Sequence, residues 1–137
     1  KRMSLDTALQ IARAAIAQCR KEGVQVAVTV VDRGGRTQVV LRDVLAMALT
    51  LSISYQKAYT AMSFNAPTST LAARFQSPVS IAKVKNVLFS AGGVPVTAAG
   101  SILGGVGVSG APSGLTDEKC ARAGVAAVQG ELEMAGM

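Results

Sequence analysis

Apolar residues recur at helical spacing near the start of the chain. Leu5, Ala8, Leu9, Ala12, Ala15, Ile16 and Cys19 form one stripe, and Asp6, Gln10, Arg13, Arg20 and Lys21 fall on the opposite side. Ser4 is placed to cap this helix and Gly23 to stop it. Val24 to Val31 is a β-branched run, Asp32-Arg33-Gly34-Gly35 supplies turn residues able to take positive φ, and Arg36 to Arg42 returns as a second strand. The next stretch, residues 43–62, has two readings. By twos, Leu45, Met47, Leu49, Leu51, Ile53 and Tyr55 alternate with smaller or polar residues as in a half-buried strand. By threes and fours, Val44, Ala48, Leu51, Tyr55, Ala58, Tyr59 and Met62 share one face of a helix, which leaves Leu45, Met47, Leu49 and Ile53 without an obvious place to be buried.

Beyond it, Pro67 interrupts a helix and Thr68 or Ser69 starts a short one through Phe75. Residues 76–85 read as a loop with an isolated turn. Three β-rich pieces follow, Asn86 to Ser90, Val94 to Ala98 and Ser101 to Ser109, separated by glycines too closely for parallel crossovers. Thr116 then caps a final helix with Asp117 and Glu118 in its first turn, where the helix dipole favours negative charge. The order predicts a single α+β domain over 1–137, with helices packed on a five-stranded antiparallel sheet.

Composition narrows the chemistry. The chain is 50% hydrophobic but only 4% aromatic, so the core is built of Ala, Val, Leu and Ile. Its longest apolar run, Val44 to Leu49, is far short of the roughly 20 residues that cross a bilayer, so no membrane span is expected. No signal peptide is visible either. The net charge of +6 is scattered and not interleaved with aromatic residues, which favours a solvated basic surface over nucleic-acid binding. Cys19 and Cys120 lie far apart in sequence on apolar helix faces and are expected to be buried free thiols, not a disulfide. There is no histidine, which removes Ser-His and Cys-His catalysis and His-based zinc sites. The carboxylates sit mostly at helix starts and turns, so no catalytic residues are assigned. Gly105 to Gly110 matches GxGxxG, yet no second parallel strand follows; glycines that let a helix or a neighbouring subunit approach an inner strand closely are the better explanation.

Several segments together resemble the GlcG/HbpS family: VVDRGG (30–35), KAYTA (57–61), NAPTS (65–69), AGGVPVTAAG (91–100), GVGVSGAPSG (105–114) and DEKCARAG (117–124). The resemblance spans nearly the whole chain in order and implies a profilin-like fold, an antiparallel sheet flanked by helices. It also implies a secreted homo-oligomer, dimer-based and up to an octamer, that binds haem without established turnover. In the haem-binding branch such a module serves a redox-sensing kinase, so a sensor protein is an implied partner.

Without histidine, an axial iron ligand has to come from oxygen or sulfur; Thr97, Tyr59, Tyr55, Met62 or a cysteine are the available types. The resemblance also makes residues 43–62 helical. In relatives the stretch before KAYTA is polar with Gly, Pro and acidic residues, whereas here it is VLAMALTLSISYQ. An interface is therefore assigned to Val44, Leu45, Met47, Ala48, Leu49, Leu51, Ser52 and Tyr55. Three explanations stand side by side: core or a native oligomer contact, a wall of the tetrapyrrole pocket, or an interface engineered onto such a scaffold for a designed partner, with ligand binding lost.

Overall fold

The computed structural model describes residues 2–76 and 80–135. Ser4 accepts the N–H of Thr7 and starts helix α1, Leu5–Lys21, whose apolar stripe is buried at Ala8, Ala12, Ala15, Ile16 and Cys19, with Leu9 half-buried and Leu5 exposed. Gly23 follows at φ 82°, a left-handed conformation open to glycine. Strands β1 (Ala27–Asp32) and β2 (Thr37–Arg42) form the expected hairpin. Asp32 closes its turn by accepting the N–H groups of Gly34 (2.8 Å) and Arg36 (3.0 Å). Helices α2 (Leu49–Phe64) and α3 (Thr68–Arg74) come next, then β3 (Gly93–Ala98), β4 (Ser101–Ser109) and α4 (Gly114–Ala135). Helix α4 begins two residues before Thr116; the Ser113 hydroxyl accepts the N–H of Leu115 instead. Of the loop expected over 76–85, residues 77–79 lie outside the described residues, and Ser80–Lys83 form one 3-10 turn.

The sheet is antiparallel with order β2-β1-β4-β3, which makes it four-stranded, not five-stranded. Residues 86–90 do not join it. The N–H of Leu88 goes to the Thr60 hydroxyl on α2 (2.9 Å), and Phe89 packs on Phe64 and Phe75, so this segment meets its needs on the helices and not on a strand ladder.

Helices α1 and α4 cover one face of the sheet and enclose the main core, with Ile11, Val28, Val30, Val96, Val106 and Val128 buried in it. Cys19 and Cys120 meet there in a disulfide, Cα atoms 5.5 Å apart, which corrects the expectation of free thiols. The two helices pack against each other, and that proximity is not visible in a sequence separation of 101 residues.

Helix α2 crosses the other face, chiefly over β4, β1 and β3. It packs backbone against backbone: a Cβ added to Gly107 would collide with the Ser54 carbonyl, one at Gly105 with the Ala58 carbonyl and one at Gly93 with the Lys57 carbonyl. Only short side chains fit at such a crossing, apart from a lysine that reaches past it. The buried positions of α2 are therefore Thr50, Ser54, Lys57, Ala58, Thr60 and Ala61. Of the apolar face read from the sequence, only Ala58 is buried. The glycine reading of GxGxxG agrees with this geometry.

Candidate functional site

The expected interface residues gather on the protein surface. Residues 43–48 are not helical; they form a turn ahead of α2. The Arg42 guanidinium holds this turn by donating to the carbonyls of Asp43, Val44 and Ala46 (3.1, 3.2 and 2.9 Å). Arg20 makes a two-pronged contact with Asp43 (2.8 and 3.0 Å), and the Leu45 N–H reaches Gln25 (2.8 Å). The turn is thus pinned by polar groups while its apolar side chains face outward: Val44 is 75% exposed, Leu45 76%, Met47 63% and Leu49 53%. Ala48, Leu51 and Ser52 are exposed beside them, and Tyr55 is half-buried. The hydrogen bond from Arg20 holds the Asp43 carboxyl below its ordinary pKa.

Three of the four candidate haem-contacting residues come together. Tyr55 and Tyr59 stack with ring centroids 5.9 Å apart, and the Tyr55 hydroxyl donates to the Gly35 carbonyl (3.2 Å). Gly35, at φ 83°, has no room for a side chain because the Tyr59 ring and the Met62 methyl lie against it. The result is a half-exposed aromatic and thioether surface at the β1–β2 turn. Thr97 shares that face of the sheet by alternation with Gly93, but it lies on edge strand β3, two strands and about 10 Å from β1. Its carbonyl accepts from Gln129 on α4 (3.2 Å). Neither cysteine is available as a thiolate ligand, since each is fully buried in the disulfide.

Reading the chain gave Asp117 and Glu118 only helix-start duties, and it passed over Lys57. The fold makes them a buried junction. Lys57 donates to the Val108 carbonyl (3.0 Å) and to Asp117 (3.3 Å), and the other oxygen of Asp117 accepts the N–H of Ala111 (3.0 Å). Glu118 accepts from the backbone of Ser69 (3.0 Å) and Gly92 (3.2 Å) and from Arg122 (3.1 Å). Burial pushes the Asp117 carboxyl up, against the pull of the Ala111 N–H and the Lys57 charge. The signal was present: both residue groups lie in the quoted motifs, KAYTA and DEKCARAG. These hydrogen bonds lock α2, α3 and α4 to the sheet.

Clefts of about 400 Å³ between α1 and β2, and about 440 Å³ between β3 and α4, are not lined by Tyr55, Tyr59, Met62 or Thr97. Among the described residues no cluster of three or more His, Cys, Asp or Glu side chains could hold a metal ion, and no helix is long and apolar enough to cross a membrane.

A four-stranded antiparallel sheet, with two disulfide-linked helices on one face and a glycine-seated helix on the other, defines an α+β class. The family model described as "Haem degrading protein HbpS-like" matches residues 3–126, and the chain belongs to that family. It is similar to the crystal structure of HbpS, with 46% identity and a TM-score of 0.89 over 92% of this chain and 89% of that one. A double mutant of HbpS from Streptomyces reticuli gives 46% and 0.88, covering 92% and 86%. The crystal structure of a PduOC:heme complex is 26% identical with a TM-score of 0.85, covering 93% and 95%. An uncharacterized 15.0 kDa protein of the dhaT-dhaS intergenic region of Citrobacter freundii is 32% identical over 113 residues, 79% of this chain and 80% of that one.

Proposed function

We propose that this chain is a haem-binding, non-catalytic module that works as a homo-oligomer, with sensing as its role. The observation that carries the reading is the Tyr55–Tyr59–Met62 surface over Gly35, an aromatic and thioether face of the kind a tetrapyrrole ring packs against. The donor types fit iron: a phenol from Tyr59 or the Met62 thioether is within the known range of haem ligands, and Tyr55 is tied to Gly35 and suits packing better than ligation. Thr97 would contact the ring edge only if the ligand extended across β4. Membership of the HbpS-like family and the PduOC:heme complex support the ligand class. The exposed 44–52 patch supports self-association, because contiguous apolar surface of this kind marks an interaction site. The buried disulfide supports a secreted protein, since such bonds persist in oxidising compartments. No comparison favours an engineered scaffold.

Hemin titration with absorbance detection tests the reading. A saturable Soret shift that weakens about tenfold or more in Tyr59→Ala with Met62→Ala is the expected result. A shift no larger than that given by an unrelated protein of similar charge would refute haem binding. Since the family description names haem degradation, the same sample is followed after adding a reductant: a persistent Soret band agrees with binding alone, and protein-dependent bleaching with repeated turnover overturns the non-catalytic part.

A further inference from the structure

Between Asp43 and Asp117 the chain has no Asp or Glu, so every charge it carries there is positive: Lys57, Arg74, Lys83 and Lys85. Lys57 is used inside the fold, on Asp117 and the Val108 carbonyl. The other three are exposed, and among the described residues none of them is paired with a carboxylate. Glu118, which reaches α3 at Ser69, is buried and also takes hydrogen bonds from Gly92 and Arg122.

Lys83 and Lys85 sit in a run of six consecutive exposed residues, Ser80 to Lys85, that also holds Ile81, 39% exposed, and Val84, 49% exposed. Hydrogen bonds give this run a shape. Its 3-10 turn is continued by the Val84 N–H, which donates to the Ile81 carbonyl (3.2 Å), and by the Val87 N–H, which donates to the Val84 carbonyl (3.1 Å). Just beyond, Leu88 is tied to Thr60 on α2, and Phe89 stacks on Phe75, the residue after Arg74, with ring centroids 4.7 Å apart. Phe64 closes the cluster edge-on to Phe89 at 5.5 Å. The exposed run and Arg74 are thus anchored at one aromatic clasp.

Unpaired cations beside outward apolar side chains call for a partner that is negative at its surface and apolar beneath. A polyanion such as a nucleic acid meets the charges but offers nothing to Ile81 and Val84. A bilayer interface meets both. We propose that this edge of the molecule docks on an anionic membrane surface, with Ile81 and Val84 entering the boundary between headgroups and acyl chains and Arg74, Lys83 and Lys85 lying among the lipid phosphates. The contact is an attachment to the surface and not a span. It goes beyond the haem reading and leaves the 44–52 patch to a second copy, since that patch lies at the start of α2 and the clasp reaches α2 at Thr60, near its end. Each basic residue near a charged bilayer is worth about fivefold in partitioning, so three give a preference of about a hundredfold for anionic over neutral lipid.

Co-sedimentation of the full chain with vesicles of phosphatidylglycerol and phosphatidylcholine in equal parts, against phosphatidylcholine alone, tests this. Partitioning is expected to be about a hundredfold stronger on the mixed vesicles at about 0.1 M salt, with most of that preference lost at about 1 M, where the screening length falls to about 3 Å. Lys83→Gln with Lys85→Gln should weaken it about thirtyfold. Ile81→Ser with Val84→Ser should weaken it about fivefold or more. All four side chains are exposed, so both variants are expected to keep the circular dichroism spectrum of the wild type. Because Cys19 and Cys120 are joined, Val84→Cys introduces a single free thiol for an environment-sensitive dye, whose emission should shift to the blue on the mixed vesicles. Equal sedimentation with the two lipids, or none with either, overturns the proposal. So does full binding without an emission shift, or an Ile81 and Val84 variant that binds as well as the wild type; either result would make the cations a site for an acidic macromolecule.

Discussion

Gly107 lies where the carbonyl of Ser54 on α2 meets the sheet, and the N–H of Ala58 is 2.6 Å from where a Cβ would stand. Both obstacles are backbone, so no rotamer change relieves them. Gly107→Ala is therefore expected to destabilise the fold by about 3 kcal/mol or more, at or beyond the upper end of ordinary overpacking, read as a lower urea midpoint at unchanged slope. A loss under about 0.5 kcal/mol would mean that α2 is not seated on β4 as described. Gly130, with open space around it, is the matched control. At Asp43 the argument concerns protons. Its carboxyl is held below the ordinary value first by the hydrogen bond from Arg20, and Glu22 is lowered likewise by Lys119. A lowered folded-state pKa gives stability that is present above the unfolded value near 4 and is lost as pH falls through the folded one. Asp117, raised by burial, acts in the opposite sense: what it contributes is fully present below the unfolded value and is lost as pH rises through the folded value. Thermal melts should therefore show a drop below about pH 4 that is shallower in Asp43→Asn. An identical acid profile for the variant would remove Asp43 from the account.

At the scale of elements, helices α1 and α4 are joined by the Cys19–Cys120 bond, which closes a chain segment of 101 residues on itself. A loop that long restricts the unfolded chain strongly, and reduction or Cys19→Ala with Cys120→Ala is expected to cost about 2–5 kcal/mol; guanidinium unfolding with and without reductant checks it. Equal midpoints would show that helix packing alone sets the stability. Elements with a strong local signal were legible in the sequence: α1 through Ser4 and its apolar stripe, the β1–β2 hairpin through Asp32 to Gly35, and β4 at the predicted bounds. Elements fixed by tertiary contact were not. Residues 86–90 carry β-rich residues but find their partners on Thr60 and the phenylalanines. The face of α2 was read as apolar because burial usually selects apolar residues, whereas here the glycines of β3 and β4 admit only small or polar ones. Of the candidate site, the resemblance brought Tyr55, Tyr59 and Met62 forward and the fold joins them; Thr97 belongs to another strand. The Lys57–Asp117 pair was hidden because its partners are 60 residues apart.

For the whole molecule, the consequence of the glycine-seated helix is a surface with an unusual distribution of apolar groups. Because α2 turns Thr50, Ser54 and Lys57 inward, its Leu49 and Leu51 and the preceding turn's Val44, Leu45 and Met47 are left outside, and Arg42, Arg20 and Gln25 hold that turn in one shape. A rigid apolar knob has little ordering entropy to lose on association, which favours a well-packed contact over a loose one. If a second copy covers it, charges placed there block assembly without harming the protomer. Leu45 and Leu49 are more than half exposed, so Leu45→Glu with Leu49→Glu is expected to change protomer stability by no more than about 0.5 kcal/mol. The same variant should shift light scattering from a multiple of the 14.0 kDa chain toward the single chain. An unfolded variant would show that these leucines serve the core after all. An unchanged particle would place the assembly contact elsewhere and leave the knob for a different partner, and a wild-type chain that scatters as a monomer would remove the oligomer from the proposed function.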